Sequence, residues 1–137
     1  MTQSFDIEGG DFTKAGLASS EIKKMLKQLN ISPDKIKKIA IAMYEAEVNI
    51  VAHAHSGKMT VEIDPDMVKL TFIDKGPGIP DISKAMEEGF STASDQVRQM
   101  GFGAGMGLPN IKKNVDELNI KSVVGEGTTL EFITYLS

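Results

Sequence analysis

Asp74-Lys75-Gly76-Pro77-Gly78-Ile79-Pro80 opens, and Gly101-Phe102-Gly103-Ala104-Gly105-Met106-Gly107-Leu108 closes, the stretch around which this chain is organised. The first run sets an Asp before two alternating glycines. The second sets four alternating glycines before a leucine. Large apolar residues are few between them. Glycine lets a backbone approach a ligand closely and take positive φ. A loop that runs straight into a helix start also turns free N–H groups and the helix dipole toward an anion. Residues 74–108 are therefore a candidate wrap for a nucleoside triphosphate.

The rest of the chain limits what such a site can belong to. Its 137 residues suit one domain spanning 1–137. Hydrophobic residues make up 41%, enough for a core and too many for a chain disordered by composition. The net charge of −4 and the lack of a basic cluster argue against nucleic acid as the partner. A small anion is still admissible, because backbone amides bind one without net positive charge. With no cysteine, disulfides and thiolate metal sites are excluded. The N-terminus lacks a basic segment followed by an apolar run, so no signal peptide is expected. No apolar run approaches the roughly 20 residues that span a bilayer, so no membrane role is expected and the cytoplasm is the default location.

Outward from the glycine runs, the pattern alternates helices and strands. Residues 4–8 alternate weakly as a strand that Gly9 and Gly10 end. Asp11 is placed to cap a helix to about Leu29, with Leu17, Ile22, Met25, Leu26 and Leu29 apolar. Ser32-Pro33 reads as a Ser cap with Pro at the first helical position, and that helix should run to about His55. At about 100° per residue, Ile36, Ile39, Met43, Ile50 and Ala54 share one face, and Ala42, Glu45 and Asn49 fall well away from it. Glu45 and Asn49 are four apart and so are surface neighbours. Residues 58–63 and 67–73 read as a hairpin around Asp64-Pro65-Asp66, so Asp74 stands at a strand end. A short helix over 82–88, a mobile loop over 89–102 and a helix from Gly107-Leu108 to about Leu118 follow. Strands over 120–124 and 128–136 flank the turn Gly125-Glu126-Gly127. This order predicts an α+β fold, a two-layer α/β sandwich with helices on one face of a mixed, mostly antiparallel sheet.

Two familiar nucleotide motifs are excluded. Gly57-Lys58 looks like the end of a P-loop, but Met59 replaces the required Ser or Thr and Ala52 stands where the first Gly belongs. The run Gly101–Gly107 lacks the Gly-x-Gly-x-x-Gly spacing and does not directly follow a strand. What remains is an ordered set: Glu45-x-x-x-Asn49 on a helix, Asp74-x-Gly76-x-Gly78 after a strand, Gly103-x-Gly105-x-Gly107 at a helix start, and Gly127-Thr128-Thr129 entering a strand.

That set, over about residues 5–135, resembles the GHKL superfamily of ATP-binding domains, which includes histidine kinases and gyrase-type ATPases. The length looks most like the anti-sigma-factor serine/threonine kinases. The resemblance implies a Bergerat-type sandwich, ATP and Mg²⁺ as ligands, and a small protein partner, a sigma factor or an anti-sigma antagonist. It also implies that such domains often form homodimers. By resemblance, Asn49 holds Mg²⁺, for which an amide oxygen is a hard neutral ligand. Glu45 is the general base, and the i, i+4 spacing keeps it near the metal-bound phosphate. Asp74 accepts from the adenine amino group, and Gly76 and Gly78 let the backbone pass under the base. Gly103, Gly105 and Gly107 bring amides to the phosphates, and Thr128 supports Asp74. Phe90-Ser91-Thr92 is similar to a Phe-Thr-Thr run in the family's lid.

Each residue also has a plainer reading. Glu45 and Asn49 are compatible with a solvated helix face, Asp74 with a turn cap, the run 101–107 with a ligand-free loop, and Thr128 with an ordinary β-former. His53 and His55 read as structural, the methionines as core filler, and Lys112-Lys113 as a solvated face. Two features depart from the family pattern. In the anti-sigma kinases an Arg shortly precedes the last Gly-x-Gly, whereas here Gly103 stands there and the single Arg, Arg98, lies five residues earlier. A cation at the γ-phosphate contributes strongly to phosphoryl transfer, so a binding module with little phosphotransfer is the rival expectation. Glu47 projects beside the apolar stripe, where a lone carboxylate would be costly, and no partner for it is legible. No phosphoacceptor-histidine helix pair precedes the domain, so a complete histidine kinase is not expected.

Overall fold

A computed structural model describes residues 1–79, 86 and 107–136. In chain order the elements are β1 (Thr2–Glu8), a 3₁₀ turn (Phe12–Lys14), α1 (Leu17–Gln28), α2 (Pro33–His53), β2 (Ser56–Ile63), β3 (Met67–Lys75), α3 (Gly107–Asn114), β4 (Glu117–Val123) and β5 (Gly127–Tyr135). The sheet runs β1-β2-β3-β5-β4, and all of its pairings are antiparallel. The helices cover one face, as the alternation of the strands requires. On β3, Val68, Leu70 and Phe72 are buried, while Lys69, Thr71 and Ile73 take the other side. Phe72 stacks on Phe132 of β5 with ring centroids 5.8 Å apart. Ile22 and Leu26 of α1, Ile36, Ile39 and Met43 of α2, and Ile111 of α3 close the core from above. On the open face Lys69 lies between Glu62 at 3.8 Å and Glu131 at 3.5 Å, exposed pairs that contribute at most about 1 kcal/mol each. The α+β sandwich expected from the sequence is the fold observed.

Several boundaries move for local reasons. Helix α1 begins at Leu17, not at Asp11: the Asp11 carboxylate accepts from the Thr13 hydroxyl at 2.6 Å and holds a 3₁₀ turn instead. Leu17 and Leu29, expected in its apolar stripe, are exposed. The helix ends in a Schellman motif, with Asn30 at φ 59 and Ile31 N–H donating to the Leu26 carbonyl at 3.4 Å. Ser32 occupies the N-cap of α2, but its side chain makes no capping bond, so Pro33 carries that start. Helix α3 stops at Asn114, and β4 begins at Glu117. There Asp116 joins the sheet, its carboxylate accepting from Tyr135 N–H at 2.7 Å. Apart from Met86, the helix expected over 82–88 and the loop over 89–102 lie outside the described residues, as do Arg98, Gly103 and Gly105.

Ala42 shows what one helix's periodicity misses. It lies off the apolar stripe of α2 yet is fully buried, because α2 is covered on two sides. Helix α1 packs along one flank and α3 along the other.

Candidate functional site

Glu45 and Asn49 sit one turn apart on α2, both half-buried. Glu45 reaches α3, where Asn110 Nδ2 donates to its Oε1 across a long 3.4 Å contact. Ala42 and Ala46 are on the same side of α2 and are buried, so only methyl groups separate the helix backbone from its neighbour there. Leu108 and Ile111, also buried, anchor α3. Asn110 has no distinguishing sequence signal beyond its place in the first turns of a helix. Gly107 begins that helix, where free N–H groups project out of its end along the axis.

Asp74 occupies the end of β3, opposite Gly57 of β2. Its Oδ1 accepts the Thr128 N–H at 3.1 Å, and among the described residues Oδ2 has no hydrogen-bond partner. Burial raises its carboxyl above the ordinary value of 3.8, and the Thr128 N–H opposes that rise. Thr128 thus reaches Asp74 through its backbone. Its hydroxyl meets Ser122 Oγ at 2.8 Å. Ser122 accepts from Ile79 N–H at 2.7 Å and has the Gly127 carbonyl at 3.2 Å. A serine hydroxyl has one proton and two lone pairs, so Ser122 can donate to Gly127 while accepting from both Ile79 and Thr128. Ser122 was not a sequence candidate, and it joins both ends of the Asp-x-Gly-x-Gly run to β4 and β5.

The turn at Gly125–Gly127 clasps the same run. Gly76 N–H donates to the Glu126 carbonyl at 3.2 Å, and Gly125 N–H to the Pro77 carbonyl at 2.9 Å. Gly78 has φ 76, and a Cβ there would lie 2.6 Å from the Val123 carbonyl oxygen. Gly127 has φ 151, and a Cβ there would lie 2.1 Å from the Asp74 carbonyl oxygen. A Cβ on Gly76 would meet Ala54 Cα at 3.0 Å. Close packing of protein backbone therefore accounts for glycine at 76 and 78 without a ligand. The same packing ties the Asp74 loop to the end of α2, where His55 N–H donates to the Lys75 carbonyl at 2.8 Å. One rigid connection thus links Asp74 to the helix that carries Glu45 and Asn49. His53 continues that helix row, and burial lowers its pKa from 6.5, favouring the neutral ring.

Glu47 has a full set of partners. It is 2% exposed, and its carboxylate accepts from Gly16 N–H at 2.8 Å, Ser19 N–H at 2.9 Å and the Ser19 hydroxyl at 2.7 Å. Gly16 is the N-cap of α1, so an anion on α2 closes the N-terminus of the adjacent helix.

A half-buried carboxylate with one free oxygen suits an amino N–H donor, and Asn49 offers a single neutral oxygen. Among the described residues no three His, Asp or Glu side chains converge into a metal cage. The Asn49 amide oxygen is a hard, neutral donor of the kind Mg²⁺ accepts.

Residues 11–134 match the histidine kinase-like ATPase domain, and the chain belongs to that family. Among its relatives is the serine/threonine-protein kinase RsbT of Bacillus subtilis, 36% identical over 118 residues, covering 83% of each chain. An anti-sigma F factor of Thermoanaerobacter is 32% identical over 114 residues, 80% of this chain and 76% of its own. Among solved structures, the RsbU and RsbW domains of a Mycobacterium tuberculosis protein superpose with a TM-score of 0.68 at 16% identity. That match covers 99% of this chain and 32% of the other. The mycobacterial sensor histidine kinase MprB superposes with a TM-score of 0.57 at 18% identity, covering 98% and 97% of the two chains. These two likenesses concern the fold. Among the described residues no helix is long and apolar enough to cross a membrane.

Proposed function

We propose that this chain is an ATP- and Mg²⁺-dependent serine/threonine protein kinase of the anti-sigma type, acting on a small protein partner in the cytoplasm. The observation that carries this reading is the Asp74–Thr128 pair on a loop braced against α2, the helix of Glu45 and Asn49. Asp74 Oδ2 accepts from the adenine amino group. Asn49 supplies an amide oxygen to Mg²⁺, which neutralises charge on the phosphates when bound. Gly107, at the start of α3, directs N–H groups to the phosphates. Glu45 takes the proton of the acceptor hydroxyl as the hydroxyl oxygen bonds to the γ-phosphorus and ADP departs, while Asn110 orients its carboxylate. The relatives, named as a serine/threonine kinase and as anti-sigma factors, support a sigma factor or its antagonist as the partner class.

The position of Arg98, five residues before Gly103, favours a second reading: a nucleotide-dependent binding module with little transfer. The two readings separate in one experiment. Glu45→Gln should bind Mg-ATP as the wild type does in calorimetry, and should lose at least about 100-fold in γ-phosphoryl transfer to a co-expressed partner. Asn49→Ala should lose Mg²⁺-dependent ATP binding. Transfer undiminished in Glu45→Gln removes the base role, and absence of transfer in the wild type selects the binding module.

A further inference from the structure

A groove of about 1020 Å³ runs between α1 and α2. Its α1 wall carries Ser20, Lys23 and Lys27, and its α2 wall carries Lys37, Ile41 and Tyr44. The spacings i, i+3, i+7 and i, i+4, i+7 put each trio on one helix stripe. Ile41 and Tyr44 expose 37% and 44% of their surface, which is high for large apolar groups on the helical layer. The Tyr44 ring stands over Gly16, where an added Cβ would approach its Cε1 to 3.0 Å. The groove follows most of α1, so at about 1.5 Å per residue it is roughly 18 Å long. It ends at Glu45.

The charge of this groove opposes that of the chain. The protein carries −4 overall, yet three lysines line the groove and Glu45 is its single lining carboxylate among the described residues. None of those lysines forms an ion pair with a carboxylate among the described residues. Of the neighbouring acids, Glu21 pairs with Lys24 and Glu47 is buried on Gly16 and Ser19, while Asp34, in the first turn of α2, lies outside the groove lining. An apolar strip edged by three unpaired cations recognises a chain with apolar side chains on one face and carboxylates on the other.

We propose that the α1–α2 groove docks an acidic amphipathic segment of the protein substrate and brings its acceptor hydroxyl to Glu45. This deepens the kinase reading and rests on it for the role of Glu45. Docking itself requires neither nucleotide nor transfer, so the two fail separately. The groove selects the substrate by charge, and Glu45 acts only on a hydroxyl that the groove has placed.

The test uses two labelled synthetic helical peptides of 14 residues, alike in their leucine stripe and terminal serine, with Glu on the polar face of one and Lys on that of the other. Anisotropy without nucleotide should show the acidic peptide binding at least tenfold tighter than the basic one. The triple variant Lys23→Glu/Lys27→Glu/Lys37→Glu should lose that preference while keeping wild-type ATP affinity, which shows the fold intact. Tyr44→Ala should weaken both peptides. Amide shifts on adding the acidic peptide should centre on Ser20, Lys23, Lys37 and Ile41. Equal binding of the two peptides, no binding of either, an unchanged triple variant, or shifts centred on another face would overturn the proposal. So would a dimer in sedimentation that the triple variant abolishes, because a second copy would then occupy the groove.

Discussion

Replacing Glu47 with Ala should destabilise the protein by about 3–5 kcal/mol, the scale for removing one partner of a buried charged hydrogen-bond set. The carboxylate is 2% exposed and accepts three donors, two of them backbone N–H groups at the start of α1. Truncation leaves the Ser19 N–H and hydroxyl facing an apolar cavity. Water can reach Gly16, which is only half-buried, so the loss is less than three full bonds. Total stabilities are typically about 5–15 kcal/mol, so the variant should populate unfolded forms at moderate temperature, with Tm lower by on the order of 10 °C. Glu47→Gln keeps the volume and one acceptor oxygen. That oxygen can serve Ser19 N–H and Oγ, but the NH₂ group then faces the Gly16 N–H, so one bond and the attraction to the helix dipole are lost. The expected cost is about 1–2 kcal/mol. With no tryptophan in the chain, urea unfolding is best followed by far-UV circular dichroism. An Ala variant within about 1 kcal/mol of wild type, or a Gln variant as costly as Ala, would refute the helix-closing role.

Three further outcomes follow from the site. Asp74→Asn should weaken ATP binding at least tenfold in calorimetry, because an amide NH₂ cannot accept from an amino group. Burial raises the Asp74 pKa in the folded state, so the wild type is penalised at neutral pH and the penalty fades as pH falls through that raised value to below about 3.8. The Asn variant should therefore match or exceed wild-type stability at pH 7, with any difference shrinking in acid; lower stability at pH 7 alone would contradict the burial argument. Gly127→Ala should cost more than about 3 kcal/mol or prevent folding, since its Cβ meets the Asp74 carbonyl 2.1 Å away at a φ of 151. A variant that unfolds within about 1 kcal/mol of wild type would show that this turn readily gives way. Asn110→Ala should leave ATP affinity unchanged and lower transfer about tenfold, a positioning effect that Asn110→Ser or Asn110→Gln should partly restore; a matching fall in ATP affinity would instead assign Asn110 to nucleotide binding.

Much of the fold was legible along single segments. Val68, Leu70 and Phe72 alternate on β3, and Asp64 marks its hairpin, where its carboxylate accepts from Asp66 and Met67 N–H. The four spacing within Glu45-x-x-x-Asn49 put both groups on one flank of α2 whatever packed against it. Boundaries were less legible, because a side-chain bond such as Asp11 to Thr13 can redirect a turn without altering any periodic pattern.

The sequence by itself determined which chemistry-bearing residues exist, their order, and which of them share an element. Period and spacing are local properties of a helix or strand, and they survive any choice of neighbours. Tertiary structure alone decided how Glu47 is satisfied, for its partners lie 28 and 31 residues earlier on another helix. It decided that Ala42 is buried, because α3 covers a flank that the stripe of α2 does not reveal. It also decided that Gly78 and Gly127 must be glycine and that Ser122 braces Asp74 through Thr128, 54 residues beyond it. Backbone clashes and hydrogen bonds act over about 3 Å, and only the folded chain brings such distant residues within that range.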